Sequence, residues 1–272
     1  SLGPAVTKYH NIAPVNDDLR FDYANALMSR NKPDWKTAAE ALGRINGGVF
    51  GQFAEVLAQR ATCYHKLGDY NNSLNLANEH ITKFKDHEMA GDTRFLRAEN
   101  MFLLSQADNA IKAYKEFLAT HKDHSNALAA AFRIAQIHHH QGRWDQSLAS
   151  AKPLLASKPE GPLFAQLAFL VGNSHFQKEQ WKECIEPLEA FIATRVEKTG
   201  ENSQRVSAET NVDTALIQLA VAYDREEKST KALEHLETLT RFYPGTTPHL
   251  PLALTEQGRL AYEEEDLSQA RQ

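Results

Sequence analysis

The chain has 272 residues, of which 42% are apolar and 24% charged, and a net charge of −5. That apolar share is ordinary for a packed fold, and the sign of the charge excludes a global attraction to nucleic acid or anionic lipid. No apolar run approaches the roughly 18 residues of a membrane span, so no direct membrane insertion is expected of this chain.

Residues 1–16, with Pro4 and Pro14, read as an irregular lead-in. The opening Ser1-Leu2-Gly3-Pro4 reads as a non-native start, and Leu267 to Gln272 stop inside an expected helix. The chain is therefore expected to be a piece of a longer protein. From residue 17 a beat of small residues sets in. Ala24, Ala61, Ala98, Ala135 and Gly172 stand 37 residues apart, and the beat resumes at Ala220 and Gly258. A fixed period of this length marks a repeat architecture.

A second ladder of small residues runs in step: Ala38, Ser73, Ala110, Ser147, Cys184, Ala232 and Ala270. Turn signals such as Gly68-Asp69-Tyr70 and Gly142-Arg143-Trp144 separate the two ladders. Each unit thus reads as helix, tight turn, helix, with one small residue on each helix to let the pair approach closely. Apolar residues keep the phase. Leu74, Ile111, Leu148, Ile185 and Leu233 follow the second ladder directly. His80-Ile81, Phe117-Leu118, Leu154-Leu155 and Phe191-Ile192 come two turns later on the same helical face.

Repeats one to five occupy 17–194. The step from Gly172 to Ala220 is 48 residues, and the extra stretch, 195–212, is polar and nearly free of large apolar residues. It is expected to be an insertion loop. Residues 213–272 then carry repeat six and a partial seventh. Cys63 and Cys184 lie three repeats apart, and such repeats do not touch in a solenoid. Both are expected to be free, buried small residues.

Several of these residues carry a resemblance. Tyr64-His65-Lys66-Leu67-Gly68-Asp69-Tyr70, the turn residues Trp144 and Trp181, and Phe242-Tyr243-Pro244 look like tetratricopeptide repeats. The resemblance implies an all-α right-handed superhelix of about six full helix-turn-helix repeats plus a partial seventh, in one continuous solenoid. It also implies a concave face lined by the first helix of each repeat. The family's usual unit is about 34 residues. Longer repeats ending in a Phe-Tyr-Pro-like step resemble those of bacterial cell-envelope lipoproteins, such as the barrel-assembly subunit and the Tol-Pal coordinator. That narrower likeness implies a place in the bacterial periplasm or envelope.

On the expected first helices, three positions share the face. One residue after the small beat come Asn25, Thr62, Glu99, Gln136 and Asn173. Four after come Met28, His65, Phe102, His139 and Phe176. Three before come Phe95, Phe132 and Phe169. Aromatic rows beside a hydrogen-bonding row suit an extended or helical peptide. The Phe95, Phe132 and Phe169 row is equally placed to pack between helices. A carboxylate clamp is not expected, because acidic or apolar residues replace most of the lysines and arginines it needs.

Catalytic signatures are missing: no phosphate-binding glycine loop, no His-Glu-x-x-His and no Gly-x-Ser-x-Gly occurs. The run His138-His139-His140 is a poor metal site, because consecutive helical residues point about 100° apart. No catalytic residue, cofactor or metal is expected. The sequence thus points to a non-catalytic scaffold with a protein or peptide partner. A substrate-recruiting or regulatory segment of a larger enzyme stays open beside it, as does a solenoid that self-associates through its ends.

Overall fold

The structure, a computed structural model, describes residues 13–45, 50–200, 203–206, 211–243, 245 and 247–263. Thirteen helices are present among them. In order they are α1 (Ala13–Met28), α2 (Trp35–Gly43), α3 (Phe53–Lys66), α4 (Tyr70–Lys83), α5 (Ala90–Leu103), α6 (Ala107–Thr120) and α7 (Ala127–His140). There follow α8 (Trp144–Ala156), α9 (Pro162–Gln177), α10 (Trp181–Ala193), α11 (Val212–Arg225), α12 (Ser229–Phe242) and α13 (Leu250–Glu263). The chain forms two compact units, residues 1–133 and 134–272, with the division inside α7. No helix among the described residues is long and apolar enough to cross a membrane.

Each unit is a stack of antiparallel helix pairs. In the first, α1 pairs with α2, α3 with α4 and α5 with α6, while α2 packs on α3 and α4 on α5. In the second, α9 pairs with α10 and α11 with α12, while α8 packs on α9, α10 on α11 and α12 on α13. First helices also touch one another, α3 with α5 and α9 with α11. All-α architecture built from helical hairpins is therefore what the 37-residue beat encodes.

The turn within each hairpin is the same local solution repeated. Gly68, Ser105, Gly142, Glu179 and Glu227 all have positive φ, between 56° and 79°. Each sits one residue past the helix cap, and the next amide reaches back to the helix: Asp69 N to Tyr64 O at 2.9 Å, Gln106 N to Met101 O at 2.9 Å, Arg143 N to His138 O at 2.9 Å. This left-handed cap satisfies carbonyls that the helix end would otherwise orphan. It needs no glycine, but only glycine adopts it without strain.

The small beat is where the backbones meet. Ala24, Ala61, Ala98 and Ala135 are completely buried, as are Ala38, Ser73, Ala110, Ser147 and Cys184 of the second ladder. At Gly172 the approach is tightest: a Cβ there would stand 2.6 Å from Leu188 Cγ and 3.1 Å from Leu188 N on the partner helix α10. Cys63 and Cys184 are free and buried, and burial pushes their thiols up to about 11 and about 12. At neutral pH both are protonated and behave as small apolar residues.

Two segments differ from the sequence reading. Helix α1 begins at Ala13, inside the stretch expected to be irregular. Pro14 sits in its first turn, where a missing amide hydrogen costs no helical bond. Residues 195–212 contain an antiparallel hairpin, β1 (Val196–Gly200) with β2 (Ser203–Val206), rather than loop alone. Its register pairs Val196 with Val206 and Glu197 with Arg205. The β-branched Val196, Thr199 and Val206 favour strand, a signal that the low apolar content hid. Pro153 and Pro187 lie inside α8 and α10, which continue to Ala156 and Ala193.

Gly172→Ala should lower stability by about 1–3 kcal/mol, because the added methyl meets both the Leu188 side chain and its backbone. Thermal and urea unfolding of the variant against the parent protein measures it, and an unchanged midpoint would refute the close approach.

Candidate functional site

The first-helix positions assigned to ligand contact are partly spent inside the stack. In the first unit, His65 on α3 and Asn100 on α5 are joined, Nδ1 to Oδ1, at 2.8 Å. Asn100 Nδ2 in turn donates to Ser73 Oγ on α4 at 2.7 Å, and Ser73 Oγ donates to the carbonyl of Ala61 on α3, also at 2.7 Å. Since Asn100 already donates through its amide nitrogen, its oxygen is the acceptor, and Nδ1 of His65 carries the proton. Ser73 and Asn100 are completely buried. The relay ties three helices together, and each polar group in it has a partner.

Glu99 is similarly engaged. Its Oε1 accepts the hydroxyl of the buried Tyr114 on α6 and, at 3.1 Å, Nε of Arg133 on α7. The Arg133 guanidinium also lies over the Phe102 ring, 5.0 Å from its centroid. Burial, and then the Glu99 charge, push the Tyr114 phenol up, so it is a donor at any working pH. Thr62 bonds back to the carbonyl of Ala58 at 3.0 Å. Met28 packs on Cys63, Sδ to Sγ 3.4 Å. Among the described residues Asn25 has no side-chain hydrogen bond and is half-buried.

The second unit repeats the scheme with other side chains. His139 Nε2 lies 2.8 Å from Asn173 Oδ1. Burial lowers the His139 pKa, opposed by the Asn173 bond, so the ring is neutral and Nε2 is the donor. Ser174 Oγ reaches Ser147 Oγ at 3.3 Å, and Ser147 donates to the Ala135 carbonyl at 3.1 Å. Tyr223 donates to Glu189, and Arg259 Nη2 to Asp224 Oδ2 at 2.7 Å. Gln136 is half-buried. Between α11 and α13 lies a shallow crevice lined by Ile217, Val221 and Leu260 and flanked by Asp224 and Glu256. It is too small for a small-molecule pocket.

The aromatic rows divide by position. Phe95 packs on Tyr114 and Phe117, with ring centroids 6.1 and 5.7 Å away, and Phe169 packs on Phe191 at 5.2 Å. Phe132 is buried, as is Phe21, which stands against Phe50. Phe95 and Phe169 thus face the second helix of their own hairpin. The row four after the beat meets the turn aromatics instead: His65 with Tyr70 at 5.6 Å, His139 with Trp144 at 5.1 Å and Phe176 with Trp181 at 5.3 Å. Met28, His65, Phe102, His139 and Phe176 all keep part of their surface exposed.

The sequence reading missed Ser73, Asn100, Tyr114 and Arg133 as hydrogen-bonding partners of these positions. A signal was present. The second ladder carries Ser at 73 and 147, and polar Asn100 and Ser174 follow each at the same 27-residue interval. A serine placed where other repeats have alanine marks a hydrogen bond, not only a close contact. The first-helix face of each unit carries polar and aromatic side chains, and no cluster of metal-ligating groups occurs among the described residues.

The fold of each unit is that of a tetratricopeptide-repeat stack, as comparison with solved structures shows. A tetratricopeptide repeat-containing protein from Cytophaga hutchinsonii superposes with a TM-score of 0.67 at 14% identity, over 92% of this chain and 91% of that one. MamA of Desulfovibrio magneticus RS-1 gives 0.55 at 14% identity, over 70% of this chain and 95% of that one. PilW, described as a widely conserved type IV pilus biogenesis factor, gives 0.57 at 12% identity, over 88% and 98%. No protein-family model matches the sequence, and no curated protein matches it.

Asn100→Ala should cost about 1–3 kcal/mol, since it strands the buried Ser73 hydroxyl and the His65 Nδ1 hydrogen. Asn25→Ala should stay within about 0.5 kcal/mol. Urea unfolding of the pair checks the contrast, and equal stability would show that the relay contributes nothing.

Proposed function

We propose that the chain is a non-catalytic scaffold that holds a peptide or protein segment on the first-helix face of each unit. The observation that carries this reading is the half-exposed row four after the beat. Met28, His65 and Phe102 supply it in the first unit, His139 and Phe176 in the second. These are large apolar or aromatic side chains held at a fixed phase by neighbours that stiffen them: Arg133 over Phe102, Trp181 against Phe176. Rigid aromatic anchors lose little entropy on binding, which is why they dominate interface energetics. Asn25 adds an amide with unspent donors and acceptor.

A bacterial envelope setting is the finer form of the proposal. Repeats that close on Phe242-Tyr243-Pro244 support it, as does the likeness in fold to a protein described as a pilus biogenesis factor. The partner is a polypeptide, with nucleic acid disfavoured by the net charge of −5.

The test is selection from a random-peptide display library against the whole chain, followed by titration of the recovered peptides. Phe102→Ala and Phe176→Ala should each weaken the peptides that engage their unit by about tenfold or more, as loss of an interface anchor does. Melting curves run alongside separate lost binding from lost folding. Unchanged affinity in both variants would overturn the first-helix face as the binding surface.

A further inference from the structure

The strongest unexplained group in the molecule is His80. It lies near the end of α4, is completely buried, and neither ring nitrogen has a hydrogen-bond partner. The same phase carries Phe117 and Phe191 in later repeats, both buried core rings. An imidazole thus stands where two later repeats carry phenylalanine and another, at Leu154, leucine. Its surroundings are polar. The connector between α4 and α5 supplies Phe84, 5.9 Å away, and His87, edge-on at 5.8 Å. Helix α3 brings Glu55, whose Oε1 lies 3.6 Å from His87 Nε2 and whose Oε2 has no partner. Helix α5 brings Arg94, whose Nη1 is also without a partner while Nη2 donates to the Lys85 carbonyl at 3.1 Å. On α4 itself, Lys83 and Glu79 pair with each other at 2.7 Å.

We propose that the α4–α5 junction is an acid-sensitive latch, released when the buried imidazole of His80 takes up a proton. A neutral ring fits the site as an apolar side chain would. A protonated ring would be a second cation beside Arg94. The one carboxylate within reach, Glu55, already faces His87. A sealed imidazolium with neither N–H bonded is too costly to keep buried, so protonation drives α4 and its connector open to water.

The direction follows from the burial. Desolvation, and then the His87 and Arg94 charges, hold the His80 pKa below its usual value. The closed junction therefore binds fewer protons than the opened one. Its stability is complete above about pH 6.5, the ordinary histidine value, and is lost as pH falls from there toward the depressed value. The latch rests on the packing alone and holds whether or not the first-helix face binds a peptide.

Hydrogen exchange on the whole chain, corrected for the intrinsic rate at each pH, tests it. Amides of residues 77–94 should show an opening constant that rises by up to tenfold per pH unit below about 6.5, while α1 and α2 stay unchanged. His80→Phe, which installs the residue found at this phase elsewhere, should flatten that response, whereas His87→Gln should leave it in place. Acid sensitivity that persists in His80→Phe, or a wild-type junction that does not respond, overturns the proposal. A ring titration of His80 by NMR in the wild-type chain gives an answer without any variant. A midpoint at or above 6.5 also overturns it.

Discussion

Everything in the two stacks depends on how closely two helix backbones can approach. The beat residues Ala24, Ala61, Ala98 and Ala135 have no exposed surface, and at Gly172 there is not room for a methyl group. Such contact brings facing helices together at small residues and forces the larger side chains to either flank. Phe95 and Phe169 are sent toward the second helix, while Phe102 and Phe176 are sent to the edge, where surface is left over. The division between core and candidate ligand face is thus a by-product of where the backbones touch.

A second constraint is polar. Close packing at the beat buries carbonyls and hydroxyls as well as methyl groups, and each buried polar atom needs a partner. Ser73 and Ser147 meet that need by donating to Ala61 and Ala135 across the hairpin. Asn100 and Ser174 extend the network into the next repeat. His80 departs from this, a buried polar ring with neither nitrogen bonded. A stack made uniform by packing is in this way given one junction that differs in chemistry from the others.

How much of this can be read from the residues depends on whether the determinant is periodic. The hairpins are legible because small residues must recur wherever helices touch, and the turns because Gly68 and Gly142 mark the left-handed cap. Ser105, Glu179 and Glu227 adopt the same cap without a glycine, so the turn there follows from phase, not from residue type. The strands at Val196–Gly200 and Ser203–Val206 were hidden because nothing in the repeat requires them. Helix α1 starts early because Pro14 is tolerated in a first turn. For the candidate site, the phase of each side chain was legible but its partner was not. Glu99 and Asn173 stand in the row assigned to ligand, and only the folded chain reveals that Arg133 and His139 already hold them.

Those partners share one detail. The beat is 37 residues, yet the ties between neighbouring repeats span 34 or 35: His65 to Asn100, Glu99 to Arg133, His139 to Asn173, Asp224 to Arg259. Successive first helices are therefore slipped along their axes by a little under one turn. Equivalent residues do not stand side by side; a residue's true neighbour is the position two or three earlier in the next copy. A straight polypeptide laid across two hairpins would read a diagonal, taking one column of side chains from the first and a different column from the second. Identical repeats would then present a non-identical surface, and a ligand could be distinguished by its slant as well as by its sequence.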